Sequence, residues 1–141
     1  MAGQYLHHTS TPINHILASP LKRAQETAQL IQSQISGAQI ETTEYLVNGT
    51  DHRQLLNQLD TSKAASVLLV GHIPYLEHMI TILVGKERTT NVEMRKCSLA
   101  CVDIEQPLVS GSGKLEYLHH FKDIESQLQS LQGNAYGTKN R

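Results

Sequence analysis

Arg23 and His72 are the two residues whose types and surroundings suggest chemistry at one site. Each belongs to a unit in which an apolar stretch ends in a small residue, a polar residue follows, and a proline can open a helix. The first unit is Ile16-Leu17-Ala18-Ser19-Pro20, shortly before Arg23, and the second is Val67-Leu68-Leu69-Val70-Gly71-His72-Ile73-Pro74. The repeated pattern predicts two strand-to-helix turns that carry polar groups.

An anion is the ligand that such turns suit. In an open α/β sheet, ligands bind at the carboxyl ends of the strands, where helix N-termini present unpaired N–H groups and a partial positive charge. A guanidinium fork matches phosphate oxygens, and each charge-assisted hydrogen bond contributes about 1.5–3 kcal/mol. An imidazole beside phosphate favours its charged form and can donate to phosphoryl oxygens. We therefore predict a phosphate site with Arg23 and His72 as catalytic and binding residues and Ser19 as a further binding residue.

The flanking sequence predicts an α/β fold with a mostly parallel sheet that ends in an antiparallel hairpin. Residues 1–9 are typical of the last turns of a helix, and residues 133–141 of a flexible polar tail. Between them, periodicity, proline and glycine predict these elements: strands at 13–18, 39–46 and 66–70; helices at 20–34, 51–59 and 75–84; hairpin strands at 96–104 and 114–121; and a helix at 123–131.

Composition limits the classes of protein. The chain has 141 residues, enough for one core, and a net charge of −1 without charge blocks, which gives no indication of nucleic acid binding. Its longest apolar run, residues 67–70, is far shorter than the roughly 20 residues that cross a bilayer, and no secretory signal is visible. Cys97 and Cys101 fit neither a zinc knuckle nor a redox pair. A cytoplasmic protein that contacts neither nucleic acid nor membrane is expected.

The two motifs resemble those of a known family. Ser19-Pro20-Leu21-Lys22-Arg23-Ala24-Gln25-Glu26-Thr27-Ala28 resembles the Ser-Pro-x-x-Arg-Ala-x-x-Thr-Ala segment of the histidine phosphatase superfamily, and Gly71-His72-Ile73-Pro74 resembles its Gly-His-x-Pro turn. The length and the closing hairpin are most similar to the phosphohistidine phosphatase SixA subgroup. The resemblance implies a three-layer αβα fold, a phosphate-binding role for Arg23, and stabilisation of the transferring phosphoryl group by His72. It implies no cofactor and no metal.

One part of the family pattern is absent. Members carry Arg-His-Gly on their first strand, and its histidine becomes phosphorylated, yet these 141 residues contain no Arg-His-Gly. About thirty residues of an ordinary member are expected upstream of Met1, as a strand, loop and helix. A start site assigned too far downstream, a fragment and a degenerate gene all fit this pattern. Because the missing strand is central in the family's sheet, we expect two neighbouring strand edges to be left unpaired.

The resemblance implies hydrolysis of a phosphohistidine or phosphomonoester through a phosphohistidine intermediate. Without the nucleophile, this chain alone is expected to have little or no turnover. The substrate would be a phosphorylated protein or a small phosphomonoester, and the oligomeric state is left open. A non-catalytic phosphate- or phosphoprotein-binding module is the alternative, and a sugar-phosphate mutase is a weaker one. We assign residues 1–122 to a truncated histidine phosphatase-like domain and residues 123–141 to a short helix and tail.

Other polar residues are interpreted as structural. The pairs His7-His8 and His119-His120 have no third ligand at metal-binding spacing, since neighbouring side chains diverge. Glu44 follows the second strand near the position of the acid in some superfamily members, but we interpret it as a solvated carboxylate. His15, His52 and His78 are kept outside the site.

Overall fold

A computed structural model describes residues 2–35, 37–62, 65–85, 93–95, 98–104 and 110–136. Its helices are α1 (Ala2–His8), α2 (Lys22–Gln34), α3 (His52–Ser62), α4 (Ile73–Val84) and α5 (Phe121–Tyr136). The strands are β1 (His15–Ala18), β2 (Gln39–Thr42), β3 (Val67–Val70), β4 (Leu99–Ile104) and β5 (Gly113–His119), and a short 3-10 helix spans Glu44–Leu46. No helix among the described residues is long and apolar enough to cross a membrane.

The first three strands form a parallel sheet in the order β2-β1-β3. Leu17 of β1 pairs in register with Glu41 of β2 and with Leu69 of β3. Because β1 has a partner on each side and helices over both faces, Ile16 and Ala18 are 0% exposed. The short apolar segments thus behave as strands of a parallel sheet, which are covered on both faces.

The strands β4 and β5 form a separate antiparallel sheet of two strands. The register shifts between Cys101 and Val102, which face Tyr117 and Leu115, so Glu116 is an extra residue on β5. Such a bulge changes which side chains of a strand point to which face. The predicted antiparallel hairpin is confirmed, but hydrogen bonds do not join it to the described parallel sheet.

Two groups of helices cover the strands. A cluster on one side contains Leu17, Leu55 of α3 and Tyr75 of α4, with Val102 and Ile104 of β4 packed against it. A cluster on the other side contains Tyr5 and Leu6 of α1, Ile31 of α2, Leu99 of β4 and Ile124 of α5. A third cluster packs Ala24 and Ala28 of α2 on Ile16 and Val70. The result is the predicted arrangement of helices on both sides of the strands.

Boundaries differ from the prediction where local signals compete. The predicted strand at 39–46 ends at Thr42, because the chain turns into the 3-10 helix. The last helix extends to Tyr136, beyond the predicted limit of 131, so the predicted tail is helical up to that residue. Residues 137–141 of that tail lie outside the described residues, and the domain limit at residue 122 stays a prediction. Gly85 ends α4 as predicted, with φ 95° and its N–H bonded to the Thr81 carbonyl at 2.8 Å.

Candidate functional site

The turn after β1 is built around Ser19. This residue is 0% exposed, and its hydroxyl accepts a bond of 3.3 Å from the N–H of Leu21. Its carbonyl accepts a bond of 2.8 Å from Nε2 of Gln25, which also donates to Oγ1 of Thr42 at 3.0 Å. The amide of Gln25 therefore links the carboxyl ends of β1 and β2.

The predicted start of the first helix is wrong in detail. We expected a helix that begins at residue 20, but α2 begins at Lys22, with Leu21 as its N-cap residue and no side-chain cap. The reason is that the buried hydroxyl of Ser19 closes a local turn to the residue two positions later. The first N–H groups of α2 are consequently left without a side-chain acceptor.

Arg23 lies in the exposed first turn of α2. Among the described residues, the nearby basic residue Lys22 approaches Glu26 at 3.9 Å, whereas the Arg23 guanidinium has no hydrogen-bond or ion-pair partner. A guanidinium that is not held by a carboxylate keeps all its donors free for an anion.

The turn after β3 presents His72 at the start of α4. His72 is the N-cap residue, with extended backbone angles and no side-chain cap, and Pro74 lies in the first turn as predicted. The imidazole is half-buried, and its buried Nε2 atom has no hydrogen-bond partner among the residues that the structure describes. Because buried polar atoms are nearly always paired, this nitrogen is an unused donor or acceptor at the helix N-terminus.

Hydrogen bonds bring the two turns side by side. The N–H of Ser19 donates to the carbonyl of Val70 at 2.9 Å, two residues before His72. On the other side, the N–H of Thr43 donates to the carbonyl of Ala18 at 2.9 Å. The structure thus aligns the ends of all three parallel strands at one edge. Ser19 and His72 border this edge, and Arg23 follows it on α2.

Thr43 is a buried polar residue at this edge that the sequence analysis missed. Its side chain accepts from the N–H of Tyr45 at 3.2 Å and donates to Oε1 of Gln58 at 2.8 Å. These bonds fix the loop after β2 to α3. The threonine itself gave no sequence signal, because its partner Gln58 is distant in the chain.

A second group of rings lies on α3 and α4. The imidazole of His52 stacks on Tyr75 with 4.3 Å between centroids, and His78 approaches His52 edge-on at 6.0 Å. These contacts join rings on separate helices, which the sequence analysis did not predict, and the placement of His52 outside the site stays a prediction. Tyr75 is 2% exposed, and its hydroxyl has no hydrogen-bond partner within the described part of the chain. Burial together with the Asp51 charge raises the pKa of Tyr75 to about 12.

The remaining polar residues have ordinary surroundings. Glu44 is exposed in the 3-10 helix, as expected for a solvated carboxylate. Nε2 of His15 lies 2.9 Å from Glu41, at the opposite end of β1 from Ser19. His7 and His8 meet edge-on, and His120 bonds to Ser98 at 2.8 Å. Within the described ranges, no group of three or more His, Cys, Asp and Glu side chains could hold a metal ion.

Of the two cysteines, the structure describes Cys101, which is half-buried and has a free thiol. Burial and the carboxylates of Glu116 and Asp103 raise the pKa of this thiol. A raised pKa keeps the sulfur protonated and unreactive near neutral pH. Cys97 lies outside the described residues.

Comparison with known proteins identifies the fold. Residues 1–48 match the family of the histidine phosphatase superfamily, branch 1. The structure of the protein histidine phosphatase SixA complexed with tungstate matches with a TM-score of 0.73 and 20% identity over 84% of this chain and 75% of that one. A proposed phosphohistidine phosphatase SixA from Agrobacterium tumefaciens matches with a TM-score of 0.67 and 20% identity, over 83% of this chain and 73% of that one. A proposed alpha-ribazole-5'-P phosphatase from Escherichia coli matches with a TM-score of 0.63 and 18% identity, over 83% of this chain and 79% of that one. No curated protein sequence matches significantly.

The chain has the histidine phosphatase fold, and the predicted resemblance to the SixA subgroup is confirmed. About a quarter of the SixA chain has no counterpart in the matched region, since the match covers 75% of it. At these identities, the structural likeness establishes the fold alone.

Proposed function

We propose that the edge formed by Ser19, Arg23 and His72 is a phosphate site of a phosphohistidine or phosphomonoester hydrolase. The observation that carries the proposal is the bond from the Ser19 N–H to the Val70 carbonyl, because it sets the two motif-bearing turns next to each other. Both α2 and α4 begin without side-chain caps at this edge, so their N–H groups can bind oxygen atoms of an anion.

Each residue has a distinct role in this proposal. The free guanidinium of Arg23 holds two phosphate oxygens, and protonated His72 donates to an oxygen on which charge develops during transfer. Ser19 contributes through the backbone, because its buried hydroxyl is engaged by Leu21. The solved SixA structure contains tungstate, an oxyanion, which agrees with an anion as ligand.

The nucleophile is not among these 141 residues. Hydrolysis through a phosphohistidine needs an imidazole in line with the leaving group, and the Arg-His-Gly motif is absent from the sequence. We therefore propose that the chain alone binds phosphate groups without turning them over. The substrate would be a cytoplasmic phosphoprotein or a small phosphomonoester.

Substitution of Arg23 tests the site, with its neighbour Lys22 as the matched control. Saturating vanadate or phosphate should raise the melting temperature of the parent, since a ligand at about 100 times its Kd stabilises by about 2.7 kcal/mol. Arg23→Ala should lower the affinity for the ligand by about tenfold or more, because a charge-assisted hydrogen bond is lost. Lys22→Ala should keep nearly all the protection. If the two variants respond alike, the site assignment is wrong.

A non-catalytic binding module is the second candidate, and the absence of the nucleophile from the sequence favours it. The two candidates share the anion site, so binding data do not separate them. The coding DNA upstream of Met1 does: an in-frame Arg-His-Gly there supports the hydrolase, and its absence supports the binding module.

A further inference from the structure

Gln25 joins three elements at the start of α2. Its side-chain nitrogen Nε2 donates to the carbonyl of Ser19 at 2.8 Å and to Oγ1 of Thr42 at 3.0 Å. Its backbone N–H donates to the carbonyl of Leu21, the N-cap residue, at 3.1 Å. Because a carbonyl oxygen can only accept, the amide nitrogen and not the amide oxygen of Gln25 must face Ser19. One residue thus ties the first turn of α2 to the ends of β1 and β2.

Apolar packing holds this first turn only weakly. Leu21 is 48% exposed and Arg23 is exposed as well, whereas Ala24 is buried in the cluster that it shares with residues of β1. The side chain of Ala24 is a single methyl group, which makes few contacts. No side chain caps the start of the helix. The direction in which α2 leaves the sheet therefore depends on the hydrogen bonds of Gln25.

The position of Arg23 depends in turn on the start of α2. Arg23 lies two residues before Gln25, and no described residue bonds to its guanidinium. The backbone of the turn, and not a contact of the side chain, therefore sets where the guanidinium lies. A rotation of the turn moves this group further than it moves the backbone, because the group lies at the end of a long side chain. Small changes in α2 thus alter its distance from His72.

We propose that Gln25 is a positioning residue of the phosphate site, which holds α2 so that Arg23 and the turn of His72 face the same anion. This role rests on the proposed function, since it concerns the same site. Gln25 acts through Arg23 and not on the anion, because both of its amide protons are used within the protein. The half-buried bond to Ser19 contributes more than the exposed bond to Thr42, since a hydrogen bond is stronger away from water.

Gln32 provides a matched control on the same helix. It is half-buried like Gln25, and its side-chain nitrogen donates to the carbonyl of Ala38 at 3.1 Å. That bond ties the other end of α2 to the residue before β2, away from the carboxyl ends of the strands. Loss of either amide removes a side-chain bond to a backbone carbonyl. Only the loss at Gln25 disturbs the turn that carries Arg23.

Affinity for vanadate is the first readout, measured by calorimetric titration of the whole chain. Gln25→Met keeps the length of the side chain but has no donor, so the affinity should fall by about fivefold. Gln32→Met should bind vanadate within about 1.5-fold of the parent, because its bond is distant from the site. Urea unfolding of both variants shows that each is folded under the conditions of the titration.

Combination with Arg23→Ala tests whether Gln25 acts through Arg23. In the Arg23→Ala background, Gln25→Met should change the affinity by less than about twofold, because the group that Gln25 positions is gone. A general structural role would lower the affinity by the same factor in both backgrounds. Thr42→Val removes the exposed bond alone and should lower the affinity of the parent by about twofold. It repeats the comparison in both backgrounds should Gln25→Met fail to fold.

Three results would overturn the positioning role. Gln25→Met could bind vanadate as tightly as the parent, the two glutamine variants could lose affinity equally, or the loss from Gln25→Met could be the same with and without Arg23. The same titrations distinguish this failure from that of the proposed function. If Arg23→Ala loses affinity and Gln25→Met does not, the phosphate site stands and the positioning role fails. If the parent binds no vanadate, both fail.

Discussion

β1 and β3 are neighbouring parallel strands of similar apolar character, but they differ in how completely they are enclosed. In β1, Ile16, Leu17 and Ala18 are at most 2% exposed, whereas in β3 only Val70 is buried. β1 has strands on both sides, while β3 has a described partner on one side. The difference shows that an apolar run specifies a strand of a parallel sheet, and that its neighbours decide how much of its surface is buried.

The largest expected effect is the loss of stability when one leucine of each strand is shortened to alanine. Leu17→Ala should destabilise the protein by about 2–5 kcal/mol, because it removes a buried side chain and leaves a cavity. Leu69→Ala, at the register partner, should cost at least about 1 kcal/mol less, since part of Leu69 remains in water in the folded state. Urea unfolding of both variants measures the difference. Equal losses would mean that β3 is enclosed as fully as β1.

A smaller effect is expected at Gly113, where the hairpin meets α4. A Cβ atom at this position would lie 2.8 Å from Cγ1 of Val102 and 3.0 Å from the carbonyl oxygen of Leu83. Gly113→Ala should therefore cost about 1–3 kcal/mol through overpacking. The exposed neighbour Lys114→Ala should stay within about 0.5 kcal/mol of the parent. If Gly113→Ala is equally neutral, the hairpin is packed less closely around residue 113 than these distances indicate.

The smallest effect on stability is expected at Tyr75, which packs in the same cluster as Leu17 of β1. Tyr75→Phe removes a buried hydroxyl that no described residue binds, so it should stabilise the protein at pH 7 by between zero and about 1 kcal/mol.

Tyr75→Phe should also change how the free energy of unfolding depends on pH. The unfolded state loses the Tyr75 proton near the ordinary tyrosine pKa of 10.0, whereas burial in the folded state raises the pKa to about 12. The native state therefore binds more protons between these values, and the parent loses stability as pH rises through this window. Tyr75→Phe should reduce that slope, and Tyr117 keeps part of it, since its pKa is also raised to about 12. An unchanged slope in equilibrium unfolding would contradict the burial of the hydroxyl.

Local signals predicted most of the elements. The apolar runs before Ser19 and Gly71 and the glycine at residue 85 act within a few residues, so the ends of β1, β3 and α4 were predicted correctly, whereas α2 begins two residues after its predicted start. The same motifs placed Ser19, Arg23 and His72 near one edge of the sheet. Their joint role in binding phosphate stays a prediction.

Features that depend on distant partners could not be predicted. The bonds of Thr43 to Gln58 and of Gln25 to Thr42 join separate elements, and the stack of His52 on Tyr75 requires two helices to be docked. Ile124 and Leu128 of α5 are buried in the same cluster as Tyr5 and Leu6 of α1, and this packing joins segments that lie far apart in the sequence. The sequence of a single segment does not reveal its contacts with distant segments.

Glu116 is an extra residue that forms a bulge in β5. In a regular strand Leu115 and Tyr117 would point to the same face, because they are two residues apart, but the bulge at Glu116 lets them oppose Val102 and Cys101, which are successive residues of β4. Tyr117 thereby packs with Tyr5, while Gly113 comes to lie against the end of α4. Deletion of Glu116 would remove the bulge and leave Leu115 paired with Val102 and Tyr117 with Cys101, because these partners are already consecutive in β4. One residue at this position therefore bends β5 locally without changing which residues of the two strands face each other.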